Sequence, residues 1–95
     1  MLFLVAGVLK EGSEPRMLEL RNEWNEHLSQ PNRRVSLFGG LRNRDGKRAG
    51  YLAFLDADSF DDAEEFLKQS PFYQNELYER VEVAEFTPQV GAIEA

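Results

Sequence analysis

Leu2-Phe3-Leu4-Val5-Ala6-Gly7-Val8-Leu9 and Tyr51-Leu52-Ala53-Phe54-Leu55 decide the fold, because both runs are apolar at every position and not at every second one. A strand with one wet face alternates, whereas runs like these read as strands covered on both faces. Gly12-Ser13-Glu14-Pro15 ends the first run and opens a helix over about Glu14 to Leu28, with Ser13 as the expected N-cap and Pro15 tolerated in the first turn. At 100° per residue Met17, Leu20, Trp24 and Leu28 share one stripe, with Arg21 and His27 on its flanks. Pro31-Asn32 closes that unit.

Val35 to Phe38 reads as a short strand, Arg42 to Lys47 as a polar hairpin around Asp45-Gly46, and Tyr51 to Leu55 as the returning strand. Asp58-Ser59 caps a second helix through Phe60, Ala63, Phe66 and Leu67, which Ser70-Pro71 terminates. Tyr78 to Thr87 is the last strand, with Val81 and Val83 alternating with charged residues. The order βαββαβ with right-handed crossovers predicts a ferredoxin-like α+β domain, a four-stranded antiparallel sheet with two helices on one face. The domain is expected over residues 1–88, with 89–95 as a C-terminal tail.

In that topology the first and third strands are central, and they are the two doubly apolar runs. Two helices cover one face only, so the other face needs a cover. A second copy supplies it at about 25 cal/mol per Å² of apolar area removed from water, which predicts a homodimer through the sheet face.

Composition removes several functions. Ninety-five residues form one domain. With no cysteine and one histidine, a disulfide framework, a thiolate metal site, a cysteine nucleophile and a multi-histidine cage are excluded, and no metal is expected. Asp56, Asp58, Asp61 and Asp62 cluster around a helix start without calcium-loop spacing. A net charge of −6 disfavours nucleic acid and anionic membranes as partners. Leu2 to Leu9 is too short for a bilayer span, which takes about 20 residues, and has no leader-like flanks, so a cytoplasmic protein is expected. The charge is uneven: 33–48 carries +5 and the rest −11. That hairpin is either a basic lip that draws anions or a wet, charged edge that resists aggregation.

The chain resembles the YCII-related family of the dimeric α+β barrel superfamily. The residues that carry the likeness are Arg21, Gly39, Asp45-Gly46, Gly50, Pro71-Phe72 and Leu77-Tyr78-Glu79-Arg80-Val81-Glu82-Val83. The resemblance implies a dimer with a small cleft in each protomer, between the first helix, the sheet and the segment after the second helix. It also implies cofactor-free acid–base chemistry like that of small-ring isomerases and dehydrochlorinases, so no cofactor is expected. Family members place a histidine three residues after the arginine and an aspartate before the Pro-Phe pair. Here those positions hold Trp24 and Ser70.

His27 is then the one histidine left for proton transfer, or else it caps its helix or lies on the surface. Trp24 is either core or a flat wall for a planar ligand. Arg21 is either an anchor for a carboxylate, phenolate or enolate, or half of a surface ion pair. Ser70, with Phe72 beside it as a further ligand contact, either hydrogen-bonds in the cleft or merely precedes a proline. Two functions follow. One is a small-molecule-binding, cofactor-independent lyase, isomerase or dehydrochlorinase-type enzyme acting on an aromatic, enol or quinone-like substrate. The other is a non-catalytic ligand-binding or accessory homodimer that has lost the family's histidine–aspartate pair; in both the expected ligand is a small, anionic organic molecule.

Overall fold

The computed structural model describes residues 1–31 and 33–91. The chain runs β1 (Leu2–Leu9), α1 (Glu14–Glu19), α2 (Arg21–Leu28), β2 (Arg34–Arg42), β3 (Arg48–Asp56), α3 (Phe60–Lys68), α4 (Pro71–Gln74) and β4 (Tyr78–Glu85). The sheet order is β2-β3-β1-β4 and each neighbouring pair is antiparallel, so the two doubly apolar strands are central, as the sequence requires.

Along β1, Phe3, Val5, Gly7 and Leu9 are buried beneath the helices, and Leu2, Leu4, Ala6 and Val8 are only half-buried on the other face. The register sets Leu4 opposite Phe54, Ala6 opposite Leu52 and Leu37 opposite Phe54, which places these apolar side chains together on the helix-free face. The helical face carries two clusters. Phe3, Val5, Leu55, Ala57, Ala63, Phe66 and Leu67 pack under α3. Leu9, Met17, Leu20, Trp24, Phe72 and Leu77 pack under α1, α2 and α4, and the candidate site adjoins this second cluster. Among the described residues no helix is long and apolar enough to cross a membrane.

Several elements differ from the sequence reading. The first helix is broken at Leu20 (φ −93°, ψ 8°), whose amide reaches both the Arg16 and Met17 carbonyls, a tightened turn that bends the axis. Met17, Leu20, Trp24 and also His27 are buried, so His27, one turn after Trp24 in α2 and packed between Trp24 and Phe66, is not on an exposed flank. Ser13 does not cap with its side chain; its hydroxyl donates instead to the Lys10 carbonyl at 2.6 Å. Ser59 does cap, accepting from the Asp62 amide at 3.1 Å. After the break at Ser70-Pro71 a single further turn, α4, forms with Pro71 in its first turn, where no amide is required. Strand β2 runs on through Gly39-Gly40, accommodated by register shifts on either side. The hairpin closes with Asn43 Oδ1 accepting from the amides of Asp45 and Lys47, each at 3.0 Å, and with Gly46 at φ +82°. Of the expected tail, 92–95 lie outside the described residues.

Candidate functional site

The glycines of the sheet make room for the site. Gly7 on β1 and Gly40 on β2 both lie opposite Tyr51 on β3. A Cβ at Gly7 would collide with the Tyr78 ring, and one at Gly40 would collide with the Arg48 guanidinium, so these two side chains lie across the strand where no side chain rises. Tyr51 is thus flanked by an aromatic ring on one side and a cation on the other, with Arg48 Cζ 5.3 Å from its ring centroid. Its hydroxyl points to Met17 Sδ at 3.3 Å, tying β3 to α1.

Trp24 comes down from α2 onto this floor. Its indole stacks on Phe72 of α4, with centroids 4.3 Å apart and planes at 14°, and touches Tyr51 at 5.3 Å and Phe38 at 5.5 Å. It is 8% exposed and Phe72 is 1% exposed, so both are core residues that show only an edge. That edge separates two spaces.

On the outer side is a cleft of about 480 Å³ between α1, α2 and the β2–β3 hairpin, lined by Met17, Arg21, Trp24, Tyr51 and Phe72 with Arg42, Lys47 and Arg48 on the hairpin wall. Behind Trp24 lies a cavity of about 20 Å³, the size of a single water, lined by His27, Ser70, Tyr78, Phe66 and Tyr51 among others. The structure therefore brings Arg21, Trp24 and Phe72 together at the cleft, and Trp24, His27 and Ser70 at the cavity. Trp24 is common to both.

His27 is 5% exposed and stacks on Phe66 at 4.4 Å. The Gln30 amide nitrogen lies 3.2 Å from Nδ1; an amide N–H only donates, so Nδ1 accepts and the neutral ring carries its proton on Nε2. Burial, with the Arg33 charge nearby, lowers the pKa to about 4, so the ring is neutral at pH 7. This removes the surface reading and the reading as a cationic helix cap.

Ser70 is 2% exposed, and its Oγ has no partner in hydrogen-bond geometry. It is nonetheless close enough to ease the Tyr78 phenol, whose pKa burial drives well above the ordinary value. Ser70 precedes α4 without a side-chain cap bond, so the hydroxyl belongs to the cavity and not to the turn.

The basic lip also changes shape. Arg33 is not part of it: its guanidinium is buried and bonds Asp62 Oδ1 at 2.6 Å, with Glu65 at 3.9 Å, latching the loop before β2 onto α3. Arg34 faces Asp56 at 3.9 Å. What remains at the cleft is Arg42, Lys47 and Arg48, joined by Arg21 from α2. The sequence singled out the hairpin charges but took Tyr51 and Tyr78 only as strand residues and not as part of the site; the signal was the pair of glycines, Gly7 and Gly40, that lie opposite Tyr51. Among the described residues no cluster of three metal-ligating side chains occurs.

The model of the YCII-related domain matches residues 1–87. No curated protein matches the chain in sequence. Among solved structures, 5-chloro-2-hydroxyhydroquinone dehydrochlorinase from Burkholderia phenoliruptrix AC1100, in complex with 2,5-dihydroxybenzoquinone, is similar with a TM-score of 0.81 at 20% identity, over 92% of this chain and 94% of that one. An uncharacterized NIPSNAP domain protein from Burkholderia xenovorans is similar with a TM-score of 0.55 at 13% identity, over 99% of this chain and 100% of that one. At these identities the likeness carries the fold.

Proposed function

Because the chain belongs to the YCII-related family, we propose that it is a small-molecule-binding protein whose site is the cleft between α1, α2 and the β2–β3 hairpin, and that it takes a small, planar, anionic ring compound there. The observation that carries this reading is a cleft lined by aromatic residues and cations together: Tyr51, Trp24 and Phe72 with Arg21 from α2 and Arg42, Lys47 and Arg48 from the hairpin. Guanidinium groups offer a planar fork of donors to a carboxylate or phenolate, and the ring edges offer apolar contact to a small ring compound. A second copy covers Leu4, Ala6, Val8, Leu52 and Phe54, giving a homodimer through the helix-free face. In this reading the ligand is held without turnover, because Trp24 stands between the cleft and His27.

A second reading, a cofactor-independent lyase, isomerase or dehydrochlorinase-type enzyme, is favoured by one observation. A neutral histidine, an unpartnered serine hydroxyl and a phenol border one cavity directly behind the indole. In it Arg21 anchors the anion, Trp24 stacks, His27 moves the proton and Ser70 orients the substrate, and the base must reach the proton it takes. The solved dehydrochlorinase of the same fold binds a quinone.

Trp24 is the sole tryptophan, so its emission reports directly on the cleft. Titration with 2-hydroxybenzoate is expected to change that emission saturably, and Arg21→Gln to weaken the response about tenfold or more. An emission that does not respond up to millimolar ligand contradicts the reading. Turnover of a quinol or quinone substrate that His27→Gln abolishes would move the conclusion to the enzyme.

A further inference from the structure

The cleft holds more positive charge than one acid group requires. Arg21 stands on its helical wall, Arg42, Lys47 and Arg48 stand on its hairpin wall, and Glu14 is the one acid in the lining. None of the four cations forms an ion pair with a described residue, although Arg16, Arg33 and Arg34 each find a carboxylate. In a chain with 17 acidic and 11 basic residues, acids are in excess, so an unpaired group of cations is a local arrangement and not a shortage of partners.

Two of the four are also held in place. Arg42 donates to the Gly46 carbonyl at 2.9 Å, and the Arg48 guanidinium lies over Gly40 against the Tyr51 ring. Donors fixed before the ligand arrives lose less freedom on binding. The charges sit on two walls, Arg21 on α2 and Arg42, Lys47 and Arg48 on the β2–β3 hairpin, with Tyr51, Trp24 and Phe72 in the same lining.

Resting on the cleft reading above, we propose that the ligand class is a planar ring bearing two acid groups on different edges, an aromatic dicarboxylate. One carboxylate pairs with Arg21 and the other with Arg48 and Lys47, and the ring packs against the edges of Tyr51, Trp24 and Phe72.

Calorimetric titration of the full chain with hydroquinone, benzoate, phenyl phosphate, benzene-1,3-dicarboxylate and benzene-1,4-dicarboxylate separates the possibilities. Phenyl phosphate carries its charge at one end, and the dicarboxylates carry theirs at two. At least one dicarboxylate is expected to bind about tenfold or more tightly than benzoate and phenyl phosphate. The margin contracts at about 0.5 M salt, where the Debye length is only a few ångströms. Arg21→Gln and Arg48→Gln, each with unchanged circular dichroism, are expected to bring the dicarboxylate down to the level of benzoate. Equal or tighter binding of benzoate or phenyl phosphate overturns the two-ended ligand and leaves the ring-binding cleft standing. Dicarboxylate binding unaffected by both substitutions places the ligand elsewhere and overturns the proposal. Failure of every probe to bind overturns both the proposal and the reading beneath it.

Discussion

The indole of Trp24 lies nearly flat on the ring of Phe72, 4.3 Å between centroids and 14° between planes, and this stack joins α2 to α4 across the floor of the sheet. Both rings are almost fully buried, so the pair holds the second core cluster together while its edge forms the cleft wall. Trp24→Ala is expected to cost about 3–5 kcal/mol, and Trp24→Phe distinctly less, measured by urea unfolding. A loss for Trp24→Ala under about 1 kcal/mol would show that the indole is a surface platform and not a packing element.

Gly7 and Tyr78 give a second test. A methyl group at position 7 meets the Tyr78 ring, so Gly7→Ala is expected to destabilise by about 1–3 kcal/mol. The clash depends on the ring, so the cost should shrink in a Tyr78→Ala background, and a double-mutant cycle reads that coupling. Additive effects would place Tyr78 away from Gly7.

His27 sets a pH dependence whose sign follows from its burial. The folded-state pKa is about 4 and the unfolded value 6.5. Between those values the unfolded chain binds more protons, so stability is complete above pH 6.5, falls as the pH drops, and stops falling on this account below about 4. A Tm about 5 °C or more lower at pH 4.5 than at pH 7 is expected from this group, a figure set below the full shift because one ring edge meets the cavity. Carboxylates also titrate near the lower limit, so the comparison with His27→Gln isolates the histidine: its Tm should change less over the same interval. Identical slopes for both proteins would count against a buried, neutral ring.

The turn between α4 and β4 offers a gain. Glu76 adopts φ +58°, a left-handed conformation that costs a residue with a Cβ. Glu76→Gly relieves that strain while freeing the unfolded chain, and the net expectation is 0 to about 1 kcal/mol of added stability. A clear loss would mean that the Glu76 side chain contributes to the fold.

The sheet was legible in the sequence because its two central strands are apolar throughout and its edges are mixed, a pattern that depends only on which faces are covered. The turn at Asp45-Gly46 and the cap at Ser59 were legible because their chemistry is local. The break at Leu20 was not, nor was the burial of His27, which a 100° projection sets on the flank of the stripe and which depends on Trp24 and Phe66 packed around it. Arg33 looked like one of a run of exposed cations; its pairing with Asp62, 29 positions away, leaves no trace in local pattern. For the site, Arg21, Trp24 and Phe72 do come together at the cleft, but their division from His27 and Ser70 by the indole depends on ring positions that spacing along a helix does not set.

The most direct test of the central claim is a crystal structure of the protein with 2-hydroxybenzoate bound. The account predicts the ring in the outer cleft against Tyr51, its carboxylate on Arg21 or Arg48, and Trp24 still stacked on Phe72. A ligand lodged behind the indole against His27 and Ser70, with Trp24 displaced from Phe72, would contradict it.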